Sequence, residues 1–269
     1  MEFSVLMSLY AKERPEYLRE SLDSVFHQTV PPTEVVMVED GPLNDELYGV
    51  LDETEKAHPE MKRVRLEKNG GLGAALNEGL KHCTHELVAR MDTDDIAVAD
   101  RFEKQTKVFE HYPQVEVVSA WIQEFDSETG EDTSIRKLPE YNYEIFRYGQ
   151  SRCPVNHPVV MFRKKSVEFA GGYLPFPLFE DYYLWVRLLL NGVKFYNIQE
   201  CLLRFRTSPE MYKRRGGLKH ALTEVKFLRH IRKLGFISIN RFVASVVVRF
   251  TTRVSPNFLR EWIYRKLLR

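Results

Sequence analysis

Apolar and polar positions alternate along this chain in two rhythms. Phe3-Ser4-Val5-Leu6-Met7-Ser8-Leu9 is a β-prone run, followed by the polar loop Tyr10-Ala11-Lys12-Glu13-Arg14. Behind Pro15, a residue suited to a first helical turn, Leu18, Leu22, Val25 and Phe26 recur at helical spacing. Pro31-Pro32 stops that helix, and Glu34-Val35-Val36-Met37-Val38 makes a second strand that runs into Glu39-Asp40-Gly41-Pro42. The same alternation predicts helix over 44–57, strand over 62–67, helix over 72–82 and strand over 86–91. Beyond these come a helix over 101–112, a strand over 115–122, a hairpin turn within 126–132 and a buried strand over 159–162. A helix reached through Phe179-Glu180-Asp181 is ended by Asn191-Gly192, and residues 195–206 are strand-like. Strand and helix in this order predict an α/β fold with a mainly parallel central sheet flanked by helices. Residues 1–210 carry that pattern, and 211–269 read as a helical C-terminal region.

Composition adds bounds. With 269 residues, 43% of them hydrophobic, the chain can bury a full core. Cys83, Cys153 and Cys201 stand far apart with no CxxC pair, which fits a reducing cytosol. His82-Cys83-Thr84-His85 reads as a helix end with a buried thiol rather than a metal site. The chain opens directly on a strand, without a basic leader. Arg241, Arg249 and Arg253 interrupt the most apolar late stretch, so no window reaches the roughly 20 residues of a spanning helix. A cytoplasmic location is expected. The net charge of +1 conceals a division: residues 194–269 hold 18 Lys and Arg against 4 Asp and Glu, while residues 1–193 hold 21 against 34. Such polarity suggests two jobs.

The densest chemistry lies in Arg90-Met91-Asp92-Thr93-Asp94-Asp95, where three carboxylates follow an apolar run. Acids this close repel unless water or a cation intervenes, and all-oxygen ligands suit Mg²⁺ or Mn²⁺ bridging to a phosphate. A solvated acidic turn is the other reading. The strands over 3–9, 34–38 and 86–91 each end in polar residues, and the carboxyl ends of parallel strands share one edge, so Tyr10, Asp40 and Asp92 to Asp95 can converge there. Asn69-Gly70-Gly71-Leu72-Gly73 opens a helix, either to offer backbone N–H groups to an anion or as a tight connection. It matches neither a dinucleotide fingerprint nor a P-loop. His157, between Asn156 and Pro158, is placed at a strand entrance, lining a site or capping the turn. Glu180 and Asp181 open a helix, where acids also complement the dipole.

Five stretches in order carry a resemblance: Ser4-Val5-Leu6-Met7-Ser8-Leu9-Tyr10 with Arg14-Pro15-Glu16-Tyr17-Leu18, Val36-Met37-Val38-Glu39-Asp40-Gly41, Asn69-Gly70-Gly71-Leu72-Gly73, Arg90-Met91-Asp92-Thr93-Asp94-Asp95, and Glu180-Asp181-Tyr182-Tyr183-Leu184-Trp185. Over about residues 3–190 the chain resembles the family 2 glycosyltransferases of the GT-A fold, and looks most like those of bacterial capsule, exopolysaccharide (amylovoran-type) and O-antigen assembly. The resemblance implies a metal-dependent, inverting transfer of a hexose from a UDP-sugar to a polyprenyl-diphosphate-linked saccharide. It implies that Asp40 accepts the uracil imide hydrogen with Tyr10 against the base, and that Asn69, Gly70 and Arg90 belong to the donor site. Asp92 would hold ribose hydroxyls, and Asp94, with Asp92 in the D-x-D pattern, would ligate Mn²⁺ or Mg²⁺. Asp95 is left behind the ligands or at a helix start. Asp181 would be the general base, with Glu180 its neighbouring candidate and Trp185 in the same motif. The chain has Glu39-Asp40-Gly41-Pro42 where many relatives have Asp-Asp-Gly-Ser, which brings Glu39 in beside Asp40. Arg214 and Arg215 lie where relatives place a basic loop near the phosphates.

In the basic tail, Ile239, Phe242, Val243, Val246, Val247 and Phe250 are expected to share one helix face, with Arg241 elsewhere around it. Such a helix suits an anionic membrane surface, making the protein peripheral on the inner face of the cytoplasmic membrane. No nucleic-acid module is recognisable, and no nucleic-acid partner is expected. The competing classes are a nucleotidyltransferase, for which Ser8 to Arg14 lacks a basic glycine-rich loop, and a non-catalytic nucleotide-sugar-binding assembly protein.

Overall fold

The computed structural model describes residues 1–208 and 217–254, the last four through their backbone alone. Arg214 and Arg215 therefore lie outside the described residues. The parallel half of the sheet consists of β1 (Phe3–Leu9), β2 (Glu34–Glu39), β3 (Met61–Arg65) and β4 (Leu87–Asp92), joined through α1 (Pro15–Phe26), α2 (Asp45–Ala57) and α3 (Leu72–His82). The remaining strands are β5 (Ile96–Ala97), β6 (Val117–Asp126), β7 (Asp132–Arg136), β8 (Met161–Arg163) and β9 (Phe195–Thr207). The strand order is β3-β2-β1-β4-β8-β6-β9-β5, with β7 on β6. β1 pairs in parallel with β2 on one side and β4 on the other, aligning Leu9 with Glu39 and Ser8 with Asp92. The order thus reverses at β1, the place where open α/β sheets bind ligands.

These strands read as near-continuous apolar runs because both faces are covered. Phe3, Val5, Met7 and Leu9 join the core on the α1, α2 and α4 (Arg101–His111) side. Leu6, Val36, Val38 and Val88 join Leu76 and Leu80 of α3 and Trp185 of α7 (Glu180–Leu190) on the other. Helix α3 lies so close that a Cβ on Gly79 would fall 2.4 Å from Leu6 Cδ1 and 2.5 Å from Val38 Cγ2.

The second half of the sheet is mixed. β8 runs antiparallel between β4 and β6, β6 and β9 are parallel, and β7 closes the hairpin predicted within 126–132. The strand expected over 159–162 is corrected. His157–Val159 is a single 3-10 turn, since Pro158 sets the backbone and has no N–H to give to a ladder, and β8 starts at Met161. Two short helices, α5 (Asn142–Gly149) and α6 (Lys164–Phe169), complete this half.

Two further helices follow, α8 (Leu218–Lys233) and α9 (Ile239–Val254). α8 buries Phe227, Leu228 and Ile231 in the second core cluster, joined by Phe236 and Ile237 of the connection. The apolar face expected for α9 reaches the core along one edge: Phe242 and Val246 pack on it, while Ile239, Val243 and Val247 are half exposed or more. At 3.6 residues per turn the row 239-243-247 runs parallel to the row 242-246 and about 60° around the helix from it, so seating one row on the core leaves the other outside. Arg249 turns inward to pair with Glu224. Among the described residues no helix is long and apolar enough to cross a membrane.

Candidate active site

The acidic stretch forms the loop from β4 to β5. One oxygen each of Asp92, Asp94 and Asp95 lies within 4.8 Å of the others. Beneath them the buried Arg90 guanidinium pairs with both Asp92 oxygens. Asp95 is fully buried, where Oδ1 accepts the Arg206 N–H at 2.9 Å and Oδ2 has no partner among the described residues. It precedes β5 rather than a helix, which corrects the expected helix start. Burial, reinforced by Asp92 and Glu13, pushes the Asp94 carboxyl up to about 7. Burial with Asp94 and Asp92 holds Asp95 well above the usual carboxylate range. A carboxylate oxygen left unpartnered inside an acid-rich, all-oxygen loop fits a hard divalent cation.

Two residues of this site escape sequence reasoning. Glu13, on the loop after β1, accepts the Thr93 hydroxyl at 3.1 Å, and burial raises its pKa. Arg206, at the end of β9, donates from Nε to the Asp94 carbonyl at 2.8 Å and stacks 3.8 Å from the Tyr17 ring centre. Glu13 carried a signal, standing just past the carboxyl end of β1. Arg206 carried none, since its approach depends on β9 meeting β5 across the sheet.

Beside the acids, Asp40 ends β2. Its carboxylate accepts the N–H of Gly70 at 2.7 Å and of Gly71 at 3.1 Å, and the Asn69 amide donates to its carbonyl at 3.2 Å. These glycine N–H groups, read as candidates for an anion, are thus directed at Asp40. Gly41 has φ +85°, and a Cβ there would meet Asn69 N at 2.6 Å, so only glycine lets the turn close. Among the described residues, two of the four lone-pair sites on the Asp40 carboxylate take no hydrogen bond. Glu39 points elsewhere, accepting from Arg63 at 2.6 Å and Arg65 at 3.3 Å. Tyr10 stands at the end of β1 with 40% of its surface exposed.

The opposite wall is the first turn of α7. Asp181 accepts the Tyr182 N–H at 2.7 Å, and burial raises the Glu180 pKa. A Cβ on Gly73 would lie 3.6 Å from Glu180 Cγ, so the first turns of α7 and α3 abut. His157 is buried beneath, its Nε2 3.0 Å from the Tyr173 hydroxyl and its ring edge-on to Trp185. Burial and the nearby Arg90 charge push its pKa well down and keep the ring neutral. Trp185 is fully buried and supports α7 from inside. The fold therefore gathers Asp40, Asn69 and Gly70, then Arg90, Asp92, Asp94 and Asp95, and sets Glu180 and Asp181 alongside. It withdraws Glu39 into an ion pair, and His157 and Trp185 into the supporting core.

The family model described as Glycosyl transferase family 2 matches residues 4–169. The chain is 41% identical over its whole length to the UDP-Gal:alpha-D-GlcNAc-diphosphoundecaprenol beta-1,3-galactosyltransferase of Escherichia coli, covering 97% of that protein. It is 39% identical to the amylovoran biosynthesis glycosyltransferase AmsE of Erwinia amylovora, with 98% of each chain covered. Among solved structures, S. aureus TarS in complex with UDP-GlcNAc superposes with a TM-score of 0.65 at 18% identity, over 100% of this chain and 72% of that one. The mannosyltransferase PcManGT of Pyrobaculum calidifontis, in complex with GDP-Man and Mn2+, gives 0.65 at 18% identity, over 93% and 69%. These two likenesses establish the fold.

Proposed function

The chain belongs to glycosyl transferase family 2, and from that premise we propose that it moves a hexose from a UDP-sugar, with inversion, to a saccharide on polyprenyl diphosphate during bacterial surface polysaccharide assembly. The observation that carries this reading is the meeting of two walls: the α7 turn bearing Asp181 abuts the α3 turn that wraps Asp40, beside the acid loop. The full-length match to the Escherichia coli galactosyltransferase supports the donor and acceptor classes.

In this reading Asp40, fixed by Asn69, Gly70 and Gly71, accepts the uracil imide hydrogen on its remaining lone pairs, and Tyr10 covers the base. Asp92, oriented by Arg90, takes the ribose hydroxyls. Asp94 and Asp92 would hold Mn²⁺ or Mg²⁺, and the bound charge would neutralise the departing diphosphate. Asp181 takes the proton of the acceptor hydroxyl as that oxygen bonds to the anomeric carbon. The bond from that carbon to the diphosphate breaks with its electron pair going to UDP, so one displacement inverts the centre. Peripheral attachment to an anionic membrane draws support from the surplus of Lys and Arg beyond residue 193 and from the exposed stripe Ile239, Val243 and Val247.

The test is a panel of UDP-, GDP- and CMP-hexoses offered with a lipid-linked diphosphate-GlcNAc acceptor. UDP-hexose should turn over, EDTA should abolish the reaction, and Mn²⁺ should restore it. Equal use of all three nucleotides would refute the donor assignment, and full activity in EDTA the metal.

A further inference from the structure

Asn77 of α3 directs its whole amide at the main chain of one residue far along the sequence. Its Nδ2 donates to the Tyr173 carbonyl at 2.8 Å, and its Oδ1 accepts the Tyr173 N–H at 2.7 Å. A side-chain amide can meet the N–H and C=O of one residue in this two-point way, satisfying both of that residue's backbone polar atoms at once. The approach needs glycine next door: Gly172 has φ +67°, and a Cβ there would sit 2.4 Å from Asn77 Oδ1. From the other side Arg187 of α7 donates to the carbonyls of Ala170 and Gly172, the latter at 2.6 Å. His157 holds the Tyr173 phenol. Only residues 174–179 then separate this fixed point from Glu180 and Asp181, and within them Leu178 is the one non-glycine residue at positive φ, +72°, among those described. Such backbone persists where its surroundings hold it.

We infer that Asn77 is a positioning residue, tying the helix that carries the nucleotide-side turn to the loop that aims Asp181. The inference rests on the reading of Asp181 as the base. Asn77 touches no reacting atom. It acts by setting where the first turn of α7 stands relative to Asp40 and the acid loop, which neither wall can do alone. A displacement of about 1 Å there is enough to lower turnover a hundredfold.

The experiment compares Asn77→Ala and Asn77→Asp with the parent enzyme. Asn77→Asp keeps the side-chain volume and the acceptor for the Tyr173 N–H but turns an oxygen on the Tyr173 carbonyl, so it tests the donor half of the pair without opening a cavity. Asn77→Ala should lower kcat roughly 10- to 100-fold with the donor KM within about twofold, and Asn77→Asp, which sets a carboxylate oxygen against the Tyr173 carbonyl, should lower it at least as far. Backbone hydrogen exchange should quicken over 171–183 and stay unchanged over 34–41 and 87–95. Parallel loss of kcat and donor affinity, or unaltered exchange over 171–183, would overturn the inference in favour of a merely structural amide. Asp181→Asn separates the two claims. Full transfer by that variant would remove the base assignment and this inference's premise while leaving the exchange result standing. An inactive Asp181→Asn beside a normal Asn77→Ala would remove the positioning role alone.

Discussion

At the scale of single residues, the acid loop stores like charge that the folded chain keeps partly protonated. The Asp94 carboxyl titrates near 7 when folded, against 3.8 for an ordinary aspartate. Between those values the folded state holds the extra proton, so without a divalent cation stability falls as pH rises from about 4 to about 7, and the raised Asp95 adds to the fall. His157, with its pKa lowered from 6.5, acts oppositely, but only below that value. From pH 6.5 upward the slope therefore belongs to the acids. The melting temperature in EDTA should decline over this range, less so in Asp94→Asn, and Mn²⁺ should raise it more at the alkaline end, because the cation takes the ionised form. A flat profile shared by both proteins would contradict the assignment. Asp92, Asp94 and Asp95 were legible because they crowd together at the end of a strand. Glu13 was hinted at only by its place just past the carboxyl end of β1, and Arg206 was not legible, because it reaches the loop from 112 positions away and only the sheet order brings it there. Glu39 misleads for a related reason: neighbours on a strand face opposite ways, and its side of β2 carries Arg63 on β3.

Among the elements, α3 links the core to the site. Gly79 lets it lie against β1 and β2, and its first turn carries the loop around Asp40. Gly79→Ala must push Leu6 and Val38 aside, which should destabilise the protein by about 1–3 kcal/mol. The same shift lifts the turn, so affinity for UDP should fall as well. Chemical denaturation and titration calorimetry measure the two, and wild-type UDP affinity in a destabilised variant would show that α3 does not transmit its packing to the turn. The long elements were readable from periodicity, from β1 to α4 and again at β6 and β9. Of the short ones, β5 with its two residues was not, being too brief for any rhythm, whereas β8 was legible as the apolar run over 159–162 and differs in its bounds, set where β4 and β6 flank it. The 3-10 turn at His157 replaced a predicted strand start for the local reason that Pro158 offers no N–H.

For the whole molecule, the acid-rich part carries the loop of Asp92, Asp94 and Asp95, while α9, in the basic part, turns Ile239 and Val243 outward. Joint Ile239→Glu and Val243→Glu substitution should lower co-sedimentation with anionic vesicles at least about tenfold, since each apolar side chain contributes on the order of 1.5–3 kcal/mol when buried. Turnover of a water-soluble acceptor should be unaffected, and unchanged vesicle binding would exclude this stripe as the attachment surface. The sequence conveyed the polarity of the chain but not which apolar positions of α9 face the core, because that depends on how α9 seats on α8 and the sheet. The central claim is that the two walls act together, one holding the leaving group and the other activating the attack. Kinetics of Asp181→Asn beside calorimetric UDP binding in Mn²⁺ test it most directly. The account predicts a loss of kcat of about 10³-fold or more with UDP affinity within about twofold of the parent. Equal loss of turnover and UDP affinity, or retained turnover, would contradict it.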